Sequence, residues 1–186
     1  GHSESDYDTA AAAFEHGAEC VTHTFNAMPP LHHRNPSIVG AASDKNAYVQ
    51  VICDGIHIHP AVIRILYKLF SSGRMILISD CMRATGLSDG EYEFGGQPIL
   101  VKDSTARTLD GALAGSTSML LKCVKKAIEF GIPKTEAFKM ASETPARLMH
   151  LNKGILAPGY DCDFIAFDSD GKLQKTIIAG KEIDIS

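Results

Sequence analysis

Three apolar runs constrain this chain most, because each stops on a residue able to bind a metal or move a proton. They are Val21-Thr22-His23, Val49-Gln50-Val51-Ile52-Cys53-Asp54-Gly55-Ile56-His57, and Met75-Ile76-Leu77-Ile78-Ser79-Asp80. Polar residues at the ends of successive buried strands are how a (β/α)8 barrel builds its active-site face. The opening Gly1-His2-Ser3 reads as the tail of a fourth strand of this kind. Positions 2, 23, 57 and 80 are spaced as βα units require, since a strand, a helix and two short loops take roughly 20–35 residues. A complete barrel takes about 250 residues, so a chain of 186 is expected to form the second half of one, with part of the protein lying upstream.

The remaining composition narrows the function classes. Acidic and basic residues are interspersed around a net charge of −4, so no basic surface argues for nucleic acid. A small anionic substrate stays open, because one or two local Arg or His residues suffice for a phosphate. Cys20, Cys53, Cys81, Cys123 and Cys162 are an odd, scattered set without a C-x-x-C pair, which reads as reduced core thiols in a cytoplasmic protein. No apolar stretch approaches the ~18 residues of a membrane span, so no membrane partner is expected.

Along the chain, residues 6–17 read as a short helix, with an Asp near the start, an Ala-rich middle and a Gly at the end. Residues 18–24 read as a buried strand and 25–44 as a long functional loop holding three prolines and His32-His33-Arg34. Residues 48–53 form the next strand. Pro60 can open a helix with Val62, Ile63, Ile65, Leu66, Leu69 and Phe70 at helical spacing. After a strand over 75–79, the alternation between 91 and 109 predicts small inserted antiparallel strands. Ser116 is placed to cap a helix reaching Phe130, and residues 133–149 predict another. Short strands over 163–167 and 174–178 flank a turn at Asp168-Ser169-Asp170-Gly171. The expected division is residues 1–153 as barrel and 154–186 as strands of a small accessory β domain.

Each candidate residue admits a plain reading beside the chemical one. His2 and His23 can be ligands of zinc or a similar divalent metal, or a remnant of cloning and a core histidine that satisfies its own hydrogen bonds. A catalytic zinc takes three protein ligands, so two histidines do not complete a site. Asp80, directly after an apolar strand, can take a proton from water and return it to a leaving group, or it caps a helix. In Asp54-Gly55-Ile56-His57-Ile58-His59-Pro60, His57 can hydrogen-bond a substrate, whereas His59 suits the helix start. Arg34 can clamp an anion or sit solvated at the surface. Leu113-Ala114-Gly115-Ser116 offers free amides to a ligand or simply joins a loop to a helix.

Taken together, Gly1-His2-Ser3, Thr22-His23-Thr24-Phe25-Asn26-Ala27-Met28, His33-Arg34-Asn35-Pro36, Asp54-Gly55-Ile56-His57, Ser79-Asp80 and Leu113-Ala114-Gly115-Ser116 resemble, in that order, the second half of the N-acetylglucosamine-6-phosphate deacetylase family of the amidohydrolase superfamily. The resemblance continues through Ala141-Ser142-Glu143-Thr144-Pro145-Ala146 to the last hairpin. It implies an α/β fold, the C-terminal half of a (β/α)8 TIM-type barrel of the metallo-dependent hydrolase kind with a few strands of an accessory sheet. The implied activity removes acetate from N-acetylglucosamine 6-phosphate, using a divalent ion (zinc, or else iron, manganese or cobalt) in a homodimeric, cytoplasmic enzyme of amino-sugar metabolism.

By the same resemblance His2 and His23 are metal ligands and Asp80 is the catalytic acid and base. Asn26, Ala27, Arg34, Asp54, Gly55, Ile56, His57, Leu113, Ala114 and Gly115 contact substrate, with Arg34 and His57 near its phosphate. The family's remaining metal ligand, a glutamate, belongs to the first half of its barrel, so these 186 residues alone are expected to be inactive or nearly so. Cys81 departs from the small residue common in relatives. The rival readings are an amidohydrolase acting on a different amide and a non-catalytic sugar-phosphate-binding module.

Overall fold

Runs rich in β-branched and long apolar side chains pack well when covered on both faces, as in a parallel sheet. Two such runs become β2 (Tyr48–Ile52) and β3 (Met75–Ile78) in the computed structural model, which describes residues 1–168 and 171–184. Together with β1 (Cys20–Val21) they form a parallel sheet in the order β1-β2-β3, where Val49 stands opposite both Val21 and Met75. The strand expected over 18–24 is therefore shorter. The Thr24 N–H still donates to the Gln50 carbonyl at 2.8 Å, but His23 between them turns into left-handed backbone and ends the ladder.

Parallel neighbours need crossovers, and helices supply them. Ahead of the sheet, α1 (Tyr7–Glu15) is capped by the Asp6 carboxylate, which accepts from the Thr9 N–H at 2.9 Å. Between β1 and β2 lies α2 (Ser37–Asp44), in the stretch expected to be all loop. Its Ser37, Val39, Ala41 and Ala42 are buried, so packing holds a helix that shows little polar and apolar contrast in sequence. Between β2 and β3, α3 (Pro60–Arg74) starts at Pro60 with His59 as cap and buries Ile63, Leu66 and Phe70. Ile65 and Leu69 of the same series are exposed, and Ser71, at φ 53°, breaks the helix.

After β3 an antiparallel meander of β4 (Gly90–Phe94), β5 (Gln97–Lys102) and β6 (Thr105–Thr108) covers Met82, Ala84, Ile99, Val101, Ala106 and Ala114. The chain then returns to the continuation of β3. The Ser116 N–H donates to the Asp80 carbonyl at 2.8 Å and the Met82 N–H to the Ser116 carbonyl at 2.9 Å, in parallel register. Ser116 thus pairs as a strand does, and α4 (Leu120–Glu129) begins further on with Met119 at its cap position. Helix α5 (Lys134–Ala141) follows. Side chains from β1–β3 and from α2–α5 share one core that contains Val49, Val51, Leu66, Phe70, Val124 and Met140.

Contacts divide the chain into residues 1–141 and 142–186, upstream of the expected 153/154 boundary. The helix expected over 133–149 is two, because Ser142 (φ −136°, ψ −77°) separates α5 from α6 (Glu143–Leu148). In one continuous helix the Pro145 ring would meet the carbonyl four residues back. The second unit joins α6 to an antiparallel sheet of β7 (Phe164–Phe167), β8 (Leu173–Ile178) and β9 (Lys181–Ile183). Gly154, at φ 82°, lies so close to Ser142 and Glu143 that a Cβ would come within 2.6 Å of Glu143 Cα, which ties residues beyond 153 to α6. Of the expected turn, Ser169 and Asp170 lie outside the described residues.

All five cysteines are free thiols; Cys53 and Cys123 are buried, but Cys81 and Cys162 are exposed rather than in the core. Among the described residues no helix is long and apolar enough to cross a membrane.

Candidate active site

The backbone marks the strand ends before any side chain is considered. His2, His23 and Asp80 adopt φ of 50°, 29° and 47°, and Phe25 and Ala27 follow at 76° and 49°. A side chain in this region meets steric resistance, and such residues gather where the surrounding structure holds them for a purpose. After β1 the turn is fastened by Asn26, whose N–H and side-chain Nδ2 both donate to the His23 carbonyl, at 3.0 and 2.9 Å. Its amide nitrogen is thereby committed to shaping the turn. Ala27 is exposed beside it.

The two histidines meet. Their ring centroids lie 4.7 Å apart with a 33° tilt, and Gly1 packs so closely that a Cβ there would reach 2.9 Å from His23 Cε1. The His23 Nδ1 is buried without a hydrogen-bond partner among the described residues. Buried polar atoms are ordinarily satisfied, so an orphaned imidazole nitrogen beside a second imidazole fits a borderline divalent metal, for which both are good donors. Among the described residues no group of three His, Cys, Asp or Glu side chains gathers as a metal cluster.

Past β2, Asp54 organises a second locus. One carboxylate oxygen, Oδ1, accepts the N–H groups of Ile56 and His57 at 2.8 and 3.0 Å; the other, Oδ2, is within hydrogen-bond distance of His57 Nδ1, at 2.8 Å. The Ser116 hydroxyl reaches the same Oδ2 at 3.5 Å. Both side chains of the pair are nearly inaccessible, 1% for Asp54 and 4% for His57. Burial pushes the Asp54 carboxyl up, but the His57 side-chain hydrogen bond, the two backbone N–H groups and the His57 charge together outweigh it and hold the group below its ordinary value.

Asp54, Ile56 and His57 line a narrow crevice with Leu113, Gly115 and Ser116, so two separately predicted segments come together. At Gly115, φ 61°, the chain passes the end of β3, and a Cβ would stand 3.3 Å from the Asp80 carbonyl oxygen. Gly55 is exposed and Ala114 is buried in the core under the meander. The Asp80 side chain itself is exposed. Arg34 lies elsewhere, in an open cleft with Asp6, Asp8 and Asp44, donating to His33 Nε2 at 2.7 Å. His59 caps α3 by accepting from the Ala61 N–H at 3.2 Å. Sequence reasoning missed Ser116 as a partner of Asp54; adjacency to Leu113-Ala114-Gly115 was its one signal.

Known proteins are similar to this chain. The profile of the amidohydrolase family matches residues 1–183. The chain is 40% identical to the N-acetylglucosamine-6-phosphate deacetylase of Vibrio furnissii, over 97% of this chain and 46% of that protein. It is 38% identical to the N-acetylgalactosamine-6-phosphate deacetylase of Escherichia coli O157:H7, over 97% and 49%. A solved structure of N-acetyl-D-glucosamine-6-phosphate deacetylase from Mycobacterium smegmatis, an Asp-to-Ala variant in complex with N-acetyl-D-glucosamine-6-phosphate, superposes with a TM-score of 0.92 at 34% identity, over 98% of this chain and 50% of that one. The chain spans about half the length of each of these relatives.

Proposed function

The chain belongs to the amidohydrolase family, and from that premise we propose that it serves the hydrolysis of the acetamide of N-acetylglucosamine 6-phosphate to glucosamine 6-phosphate and acetate. Members of this superfamily use divalent metal ions. His2 and His23 hold the ion in this reading, zinc first, with iron, manganese or cobalt as alternatives. The observation that carries the proposal is the facing histidine pair with its orphaned His23 Nδ1, on the left-handed backbone that Asp80 shares.

When bound, the ion supplies Lewis acidity, polarising the amide carbonyl and acidifying water. The chain's own residues move the protons. Asp80 takes a proton from the attacking water as the new C–O bond forms, then delivers it to the nitrogen as the C–N bond breaks, because an amine leaves poorly unless protonated. Leu113, Gly115 and the Asp54 and His57 segment border the substrate, Asn26 and Ala27 shape the turn beside it, and Arg34 and His57 meet the phosphate. A cytoplasmic homodimer completes this reading, because Arg34 stands apart from the crevice and a neighbouring subunit can unite the two loci.

The test is acetate release by the full-length protein, wild type beside Asp80→Asn, with bound metal quantified in each. Turnover by the wild type and a loss of roughly 10²–10⁴-fold in a variant that retains its metal is the expected result for a lost proton carrier. A metal-loaded wild type that releases no acetate overturns the substrate assignment. The relative named for the galacto epimer supports a second reading with the same chemistry, so both 6-phosphates belong in the assay.

A further inference from the structure

We infer that Asp54 is a positioning residue that fixes the tautomer of His57, so that His57 carries its Nδ1 proton inward and offers Nε2 as the ring nitrogen for an anionic ligand. The inference deepens the proposed function and rests on it for the identity of that anion, a phosphate monoester. Its physical content is in the two carboxylate oxygens. Oδ1 is held by two backbone N–H groups, of Ile56 and His57, which fixes the rotation of the carboxylate. Oδ2 must then face His57 Nδ1, at 2.8 Å, and an ionised carboxylate only accepts. Nδ1 therefore keeps a proton in every charge state of the ring.

Two consequences follow from that lock. Neutral His57 presents a bare Nε2 lone pair, which repels an anion; protonated His57 presents Nε2–H and a positive charge balanced by the buried Asp54. An anion at His57 therefore meets Nε2 and not Nδ1, and receives a hydrogen bond from Nε2 when the ring carries both protons. Ser116, whose hydroxyl also points to Oδ2, links the same carboxylate to the chain beside β3.

Asp54→Asn separates this from simple support of the fold. Because the backbone N–H groups require an oxygen at the Oδ1 position, the amide NH2 takes the place of Oδ2 and donates to His57 Nδ1, driving the neutral ring to the opposite tautomer. With 15N-labelled histidine, the ring shifts of the metal-loaded wild type at high pH are expected to report protonated Nδ1 and bare Nε2 at His57, and those of Asp54→Asn the reverse. A wild-type His57 with bare Nδ1 overturns the inference, and this arm stands even if the variant does not fold. A wild type inactive on the 6-phosphate defeats the proposed function alone, since the tautomer is read without turnover.

Discussion

Asp54 couples the candidate site to stability through its proton. Its folded-state pKa lies below the ordinary 3.8 despite burial, because three hydrogen bonds from His57 and Ile56 favour the charged form. A carboxylate depressed on folding contributes stability that is complete above its unfolded pKa and disappears as pH falls through the folded value. The wild-type urea midpoint is therefore expected to drop as pH falls below about 4, and the Asp54→Asn midpoint to fall less steeply over the same window. Parallel profiles for the two proteins would mean that the carboxylate is not held as described. At this scale Asp54 and His57 were legible as members of one candidate segment, but their pairing was not, and the hydroxyl of Ser116 arrives from 62 residues away and leaves no local trace.

Among the elements, α2 shows what sequence pattern hides. Ser37, Val39, Ala41 and Ala42 are buried on more than one side, with Ala41 packed against Ala10 and Ala11 of α1, so the helix has no polar face to produce a 3.6-residue rhythm. Close packing is instead written in Gly40. A Cβ there would stand 2.5 Å from Pro36 Cβ and 3.7 Å from Tyr7 Cδ2, and the pyrrolidine ring cannot swing away. Gly40→Ala gains about 1 kcal/mol of helix propensity, but the overlap is expected to win, for a net destabilisation of about 1–3 kcal/mol by urea unfolding. A variant as stable as wild type would show that α2 can shift away from Pro36. The strands β2 and β3 were readable because their apolar runs are continuous; the helix break at Ser142 and the pairing of Ser116 with Asp80 depend on neighbours that periodicity does not see.

For the molecule as a whole, the parallel sheet matters because it sets His23 and Asp80 at the ends of strands that are themselves packed in the core. Strand ends could be read from sequence; the contact of His2 with His23 is a tertiary fact, and the separation of Arg34 from the crevice is another. If the two histidines hold an ion, binding and folding are linked, since a ligand taken up only by the folded state adds about 2.7 kcal/mol of stability at a hundredfold excess over its dissociation constant. For a protein of this size that corresponds to a rise in Tm of roughly 5–10 °C. Zinc added to chelator-stripped wild type is expected to produce such a rise, and His23→Ala to abolish it. The metal-free variant is expected to unfold near the metal-free wild type, because removing the ring also removes a buried nitrogen without a partner and offsets part of the lost packing. A zinc-dependent rise that survives in His23→Ala would place the ion on other residues and withdraw His23 from the site.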